Sequence, residues 1–273
     1  MSVWLTDLAD ILREAGVPVI EETYNRGPYK GKSWTQVGFG GRGLSAFNYI
    51  VLHHDASPEG PQGSPGALEW VKYMDIAPAA AAWVCVGCGG KHLSGTWHVY
   101  AAGLSNHAGT GGPWSPKNGL GPYVPRNGMN AVSWGIETDH TYGESWAPPK
   151  KQQQLHSIRR GIAAVLRAYR MKPSQVIRHL DWTNGLIDGV PRLATYGRKN
   201  DIDGLDWDYE RSVYADEMAA MSQKERRLKR LERLRRGWRR RRNAIRASGK
   251  KAGLSSARTK IRSLNKRIKA LRG

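Results

Sequence analysis

Two kinds of side chain in this sequence could act together on a metal ion: the imidazoles of His53, His54 and His179 and the carboxylate of Asp201. Imidazoles and a carboxylate suit catalytic zinc, which usually takes three protein ligands and keeps a fourth position for water. Each residue alone also has an ordinary explanation. His53 would be a satisfied histidine at a strand end and Asp201 a turn cap. His53 and Asp201 stand more than a hundred positions apart. Spacing alone therefore brings nothing together here, in contrast to an HExxH helix; only a fold can.

The elements that would have to do so can be read from the pattern of apolar residues. Leu5, Leu8, Ile11 and Leu12 fall at helical spacing until Gly16 and Pro18 end it. A Gly-rich loop through Gly38 and Gly43 follows, and then Tyr49–His53, a compact apolar run that predicts a buried strand. Further strands are predicted at Ala81–Val86, Trp97–Ala101, Val132–Glu137 and Val176–His179. Helices are expected over 66–76, limited by Pro78, and over about Lys151–Arg170, where Leu155, Ile158, Ile162, Val165, Leu166 and Tyr169 share a face. Strands interleaved with helices predict an α/β domain with one central sheet. The Gly/Pro/Asn-rich stretch 103–130 is longer than an ordinary connection and reads as a functional loop or groove wall. Trp97, Trp114, Trp134, Trp146 and Tyr123 lie in or beside the loops that would edge such a groove. One or two of them are expected to touch substrate, although aromatics more often fill cores.

The net charge of +20 is localised. Residues 222–273 hold 22 of the 43 Lys and Arg and only 2 of the 23 acidic residues, which leaves 21 of each sign in residues 1–221. The charge step sets a boundary near Met221. Beyond it, Leu228, Leu231, Leu234, Trp238 and Ile245 keep a narrow apolar stripe. After a Gly-containing break, Leu254, Ile261, Leu264, Ile268 and Leu271 keep another. These intervals are those of a coiled-coil seam and predict two helices that fold into an antiparallel hairpin or pair between chains. The run Arg239–Arg242 is a solvated face or an attachment site for an anionic polymer. Cell-envelope polymers, lipid headgroups and nucleic acid could all supply the anion. The neutrality of residues 1–221, and the lack of a nucleic-acid motif there, count against the last. Cys85 and Cys88 form a lone CxxC, open to a local disulfide, a redox pair or half a zinc knuckle, with a structural or incidental role favoured. No apolar run approaches the roughly 20 residues that span a bilayer. The first ten residues carry no basic n-region and no long apolar core, so they do not read as a secretory signal.

Five segments, in order, resemble the zinc amidases that include the phage lysozyme-type amidases and the peptidoglycan recognition proteins. They are Y-I-V-L-H-H-D-A, the pair S-G-T-W-H-V-Y and S-N-H-A-G-T-G, W-G-I-E-T-D, V-I-R-H-L-D-W, and G-R-K-N-D, spanning about residues 48–207. The resemblance implies that His53, His179 and Asp201 bind one zinc ion, with His54 in the adjacent non-ligand slot. It implies that Glu137 handles the proton of the attacking water and that Lys199 faces the substrate carbonyl. His107 borders the substrate groove in similar proteins and is expected, with Trp134, to bind substrate. A catalytic tyrosine carried by some members has no counterpart in Ala81-Ala-Trp-Val-Cys85, so none is assigned.

The implied fold is a mainly mixed central sheet flanked by helices, with residues 1–47 as a helix-and-loop extension, 48–221 as the catalytic domain and 222–273 as a basic helical tail. The implied activity is cleavage of the amide between N-acetylmuramic acid and L-alanine by zinc-activated water, without a small organic cofactor, as in a phage endolysin. Such a protein would be made in the host cytoplasm without a signal and would act at the wall after the membrane is breached. The tail would hold anionic envelope polymers or lipid headgroups. The alternatives are a non-catalytic peptidoglycan-binding protein, against which three filled ligand positions argue, and a nucleic-acid-binding protein acting through its tail.

Overall fold

The computed structural model describes residues 2–54, 82–86, 93–109, 111–114, 121–140, 143–184, 202, 204–247 and 253–272. Lys199, Asp201, Cys88 and the helix expected over 66–76 lie outside the described residues.

Six short strands form one sheet: β1 (Val19–Glu21), β2 (Tyr49–His54), β3 (Ala82–Val86), β4 (Ser94–Val99), β5 (Ser133–Thr138) and β6 (Val176–Arg178), in the order β1-β4-β3-β5-β2-β6. The sheet is mixed, because β3 and β4 are antiparallel while β1-β4, β3-β5, β5-β2 and β2-β6 are parallel. Every residue of β2 and β5 is buried. Their continuous apolar runs reflect a sheet covered on both faces, as parallel pairing requires.

One face is covered by helices. α1 (Leu8–Glu14) packs against α2 (Pro149–Ala168), and α2 lies along β3 and β4. Trp97 of β4 stacks on Trp134 of β5 with ring centroids 5.9 Å apart and planes 17° apart. Gly161 of α2 makes room for them, since a Cβ there would fall 2.4 Å from the Trp97 ring. The start of α2 also pins the strand ends. Lys151 Nζ donates to the Asp139 carbonyl and pairs with Glu144 at 2.7 Å, and Gln154 donates to the Val84 carbonyl at 2.7 Å. The Asp139 carboxylate in turn accepts from the Val86 amide at 2.9 Å.

The opposite face is covered differently. Tyr49, Val51, Ala108, Val124, Met129, Ile177 and Trp182 form a buried cluster, to which the described part of the 103–130 stretch contributes Ala108, Val124 and Met129. The Tyr49 hydroxyl donates to the Pro122 carbonyl at 2.6 Å, and burial pushes its pKa up to about 12. Trp182, in the short helix α3 (His179–Asn184), packs against Gly111 and Gly112, where added Cβ atoms would fall 2.3 and 2.2 Å from its ring. The N-terminal segment joins the same unit through a Val3–Leu44 bridge and a 2.8 Å bond from Tyr24 to the Tyr100 carbonyl.

At the C-terminal end, α4 (Trp207–Ala247) and α5 (Leu254–Arg272) follow. The chain divides into two units, Met1–Ala215 and Asp216–Gly273, so the division falls inside α4 rather than at residue 222. The reason lies in the first turns of that helix. Arg159 grips the buried Glu210 carboxylate with two hydrogen bonds, and Trp207 and Tyr214 are buried. In the second unit α4 and α5 form an antiparallel hairpin. Leu231, Leu264 and Ile268 are buried between them, with Leu228, Trp238 and Leu271 packed alongside, and Arg272 pairs with Glu232 at 2.6 Å. Leu234, expected in the seam, is instead 46% exposed. Among the described residues no helix is long and apolar enough to cross a membrane.

Two other local differences from the sequence reading stand out. β1 was not anticipated, because three residues are too few to show a period. His179 opens a helix rather than ending a strand, since the Asp181 carboxylate accepts from the Arg178 amide at 2.9 Å and turns the chain there. Cys85 is disulfide-bonded, and the sequence holds one other cysteine, Cys88.

Candidate active site

The side chains that could do chemistry meet at the C-terminal ends of three adjacent parallel strands. His53 is near the end of β2, Glu137 lies opposite it in register on β5, and His179 directly follows β6 on the other side. Paired residues in a sheet point to the same face, so His53 and Glu137 both face the loop-covered side. His54 points to the helical side, with its ring 6.1 Å from that of His140. The choice between the two adjacent histidines is therefore made by the pleat.

His53 Nδ1 and His179 Nδ1 stand 2.9 Å apart, with ring centroids separated by 4.4 Å. Both rings are buried, at 1% and 5% exposed. Behind His53, its Nε2 meets His107 Nδ1 at 3.1 Å, and His107 Nε2 meets Ser133 Oγ at 3.1 Å. Behind His179, its Nε2 meets the Ala108 carbonyl at 3.3 Å. A carbonyl only accepts, so His179 Nε2 donates to it, and in the neutral ring that a metal requires Nδ1 presents a lone pair. His107 is held well below the usual imidazole pKa, first by burial and then by the neighbouring His53 and His179.

This donor set suits a divalent cation. Two nitrogens bound at about 2.0–2.1 Å in a tetrahedral arrangement stand roughly 3.3 Å apart. The observed 2.9 Å lies within a few tenths of an ångström of that. Among the described residues no three ligand-type side chains converge on one point. His107 does not join the pair because it approaches the back of the His53 ring.

The structure thus brings together His53, His179, Glu137 and His107 from the sequence-predicted set. His107 is only 6% exposed. It supports a histidine rather than lining open space. Trp134 is corrected: it is 1% exposed and stacked on Trp97 on the helical face, away from the histidines, so it is a core residue and not a substrate contact. Trp97 and Trp146 are buried as well, the latter stacked on His140. On the loop-covered side Trp114 is partly buried, while Tyr123 is 63% exposed next to the Val124 bridge.

Two residues of the site were not singled out from the sequence. Ser133 begins β5 and touches His107. Gly135 lies between Ser133 and Glu137 on the same face, and a Cβ there would fall 2.3 Å from His107 Cγ. A glycine inside a strand signals a close approach of this kind, and W-G-I-E carries that signal.

No curated protein matches the chain. A solved structure that is similar to it is the endolysin N-acetylmuramoyl-L-alanine amidase LysCS from Clostridium intestinale URNW, at 17% identity and a TM-score of 0.33, covering 60% of this chain and 81% of that one. The family model described as N-acetylmuramoyl-L-alanine amidase matches residues 43–201, a span that holds every strand from β2 to β6, both facing histidines and Glu137. By that match over more than half its length, the chain belongs to the N-acetylmuramoyl-L-alanine amidase family and is a peptidoglycan amidase.

Proposed function

We propose that the protein hydrolyses the amide between N-acetylmuramic acid and L-alanine with one zinc ion held by His53, His179 and Asp201, and that it acts as an endolysin. The facing Nδ1 atoms of His53 and His179, beside the buried Glu137, carry this reading. Zinc bound there would make hydroxide available near neutral pH and polarise the carbonyl oxygen. The chain's own groups supply the rest. Glu137 accepts a proton from the attacking water and returns it to the L-alanine amine as that amine leaves. Lys199, by its resemblance to the family lysine, stabilises the developing oxyanion. Tyr123, exposed on the loop side, offers an aromatic face to a sugar ring or a peptide stem.

The basic hairpin attaches the enzyme to anionic polymers of the envelope. Its apolar stripes pack on each other, whereas an interfacial helix needs such a stripe free to enter the headgroup region. That favours a hydrophilic polyanion over lipid headgroups. An open cleft of about 590 Å³ lined by Arg235, Arg239, Lys269 and Arg272 gives the polymer a place to lie. The protein would be made in the host cytoplasm and would reach the wall after membrane breach.

The test is digestion of peptidoglycan with and without chelator, followed by zinc readdition, with the new ends identified by mass spectrometry. Stem peptides with free L-alanine amino termini, lost on chelation and restored by zinc, are the expected products. Cleavage of the glycan strand, or wall binding without cleavage, would overturn the proposal.

A further inference from the structure

The protons of the buried histidines can be placed one by one, starting from a group with no choice. The Ser133 hydroxyl lies 2.6 Å from the Met129 carbonyl, which only accepts, so the serine hydrogen is committed there. Ser133 Oγ then has only lone pairs to offer His107 Nε2 at 3.1 Å, and that nitrogen must carry the His107 proton. A neutral imidazole has one N–H, so His107 Nδ1 is an acceptor. His53 Nε2, 3.1 Å away, must therefore be the donor. In the neutral ring that binds a metal, His53 Nδ1 then presents its lone pair towards His179 Nδ1. The Ala108 carbonyl imposes the same tautomer on His179 from the other side.

We infer that Ser133 and His107 are positioning residues whose hydrogen-bond chain, Met129 carbonyl to Ser133 to His107 to His53, holds the His53 Nδ1 lone pair ready for the metal. This inference rests on the zinc reading of the site. Two lone pairs 2.9 Å apart repel unless positive charge lies between them, so the chain prepares a place for a cation. It replaces the groove-bordering role expected for His107. The chain has physical support throughout: Ser133 is fully buried and His107 is 6% exposed. Gly135 leaves the space His107 occupies, and the Asn130 side chain fixes the adjoining loop by accepting from the Ala108 amide at 2.7 Å. Groups that orient metal-bound histidines typically matter by about 10–100-fold in metal affinity.

The test uses the full chain and measures zinc affinity by competition with a chromophoric chelator, with circular dichroism to confirm folding. H107L should lose about 10–100-fold in affinity. H107Q can accept from His53 through its amide oxygen and donate to Ser133 through its amide nitrogen, and should recover most of that loss. Ser133→Ala deletes one oxygen with little change in volume and provides the reading if H107L fails to fold. It should weaken zinc binding and loosen the His107 tautomer, which long-range ¹⁵N–¹H couplings report directly. Wild-type affinity in a folded H107L or in S133A, or a His107 proton on Nδ1, would overturn the inference. If the wild-type protein binds no zinc, the zinc reading fails instead. The couplings of the metal-free protein then still decide whether the chain of protons exists.

Discussion

Glu137 and His179 belong to the same cluster but should fail in different ways. Glu137→Gln keeps the shape of the side chain and removes its basicity, so turnover should fall by about 10²–10⁴-fold while zinc content stays at one per chain. His179→Ala should abolish zinc binding along with activity. Metal analysis beside the rate of amide cleavage separates the two, and a Glu137→Gln protein that is fully active removes the carboxylate from the mechanism. The aromatics divide in a similar way. Trp134→Ala empties a core position and should cost about 3–5 kcal/mol of stability in a denaturant titration. Tyr123→Ala should leave stability alone and raise KM. Residue chemistry pointed to His53 and His179, because imidazoles are unusual at the ends of apolar strands, whereas Glu137 came from the family resemblance. It could not separate Trp134 from Tyr123, because a tryptophan looks the same in sequence whether the pleat turns it towards α2 or towards the loop wall. Ser133 was missed because its contribution is one hydrogen-bond acceptor, a role that leaves no pattern along the chain.

The strands were legible wherever they were long and apolar on both faces. β2 and β5 both fall within a residue of their expected bounds. Their register was not legible, and register is what places Glu137 opposite His53. β5 carries a further constraint in its glycine. Gly135→Ala puts a methyl group into the His107 ring, so the ring or the strand must shift. Such overpacking typically costs about 1–3 kcal/mol. The variant should melt earlier and bind zinc more weakly. A variant with unchanged melting and unchanged affinity would show that the ring has freedom the packing denies it. α4 illustrates the opposite difficulty. Charge marks where its basic stretch begins, yet the helix starts at Trp207, among residues whose anchoring through Arg159 and Glu210 is a tertiary contact.

The basic hairpin and the amidase unit can be examined separately because the chain divides between Ala215 and Asp216. Truncation after Met221 retains the anchored turns of α4 and removes the charge. The truncated protein should cleave soluble muropeptides as the full chain does and lose binding to isolated walls. Wall binding by the full chain should weaken steeply as salt rises. Undiminished wall binding by the truncated protein at low salt would remove the attachment role from the hairpin. A last consequence follows from how far apart the facing histidines lie in the chain. His53 and His179 are 126 residues apart and meet only when β2 and β6 are paired. An unfolded chain holds no such pair, so zinc held at the proposed site would bind the native state alone and would act as a ligand of folding. Free zinc at a hundred times its dissociation constant should then add about 2.7 kcal/mol to stability. The melting temperature would then become a titration curve for the metal, expected to rise with its concentration and to fall when a chelator takes it away, with no substrate present.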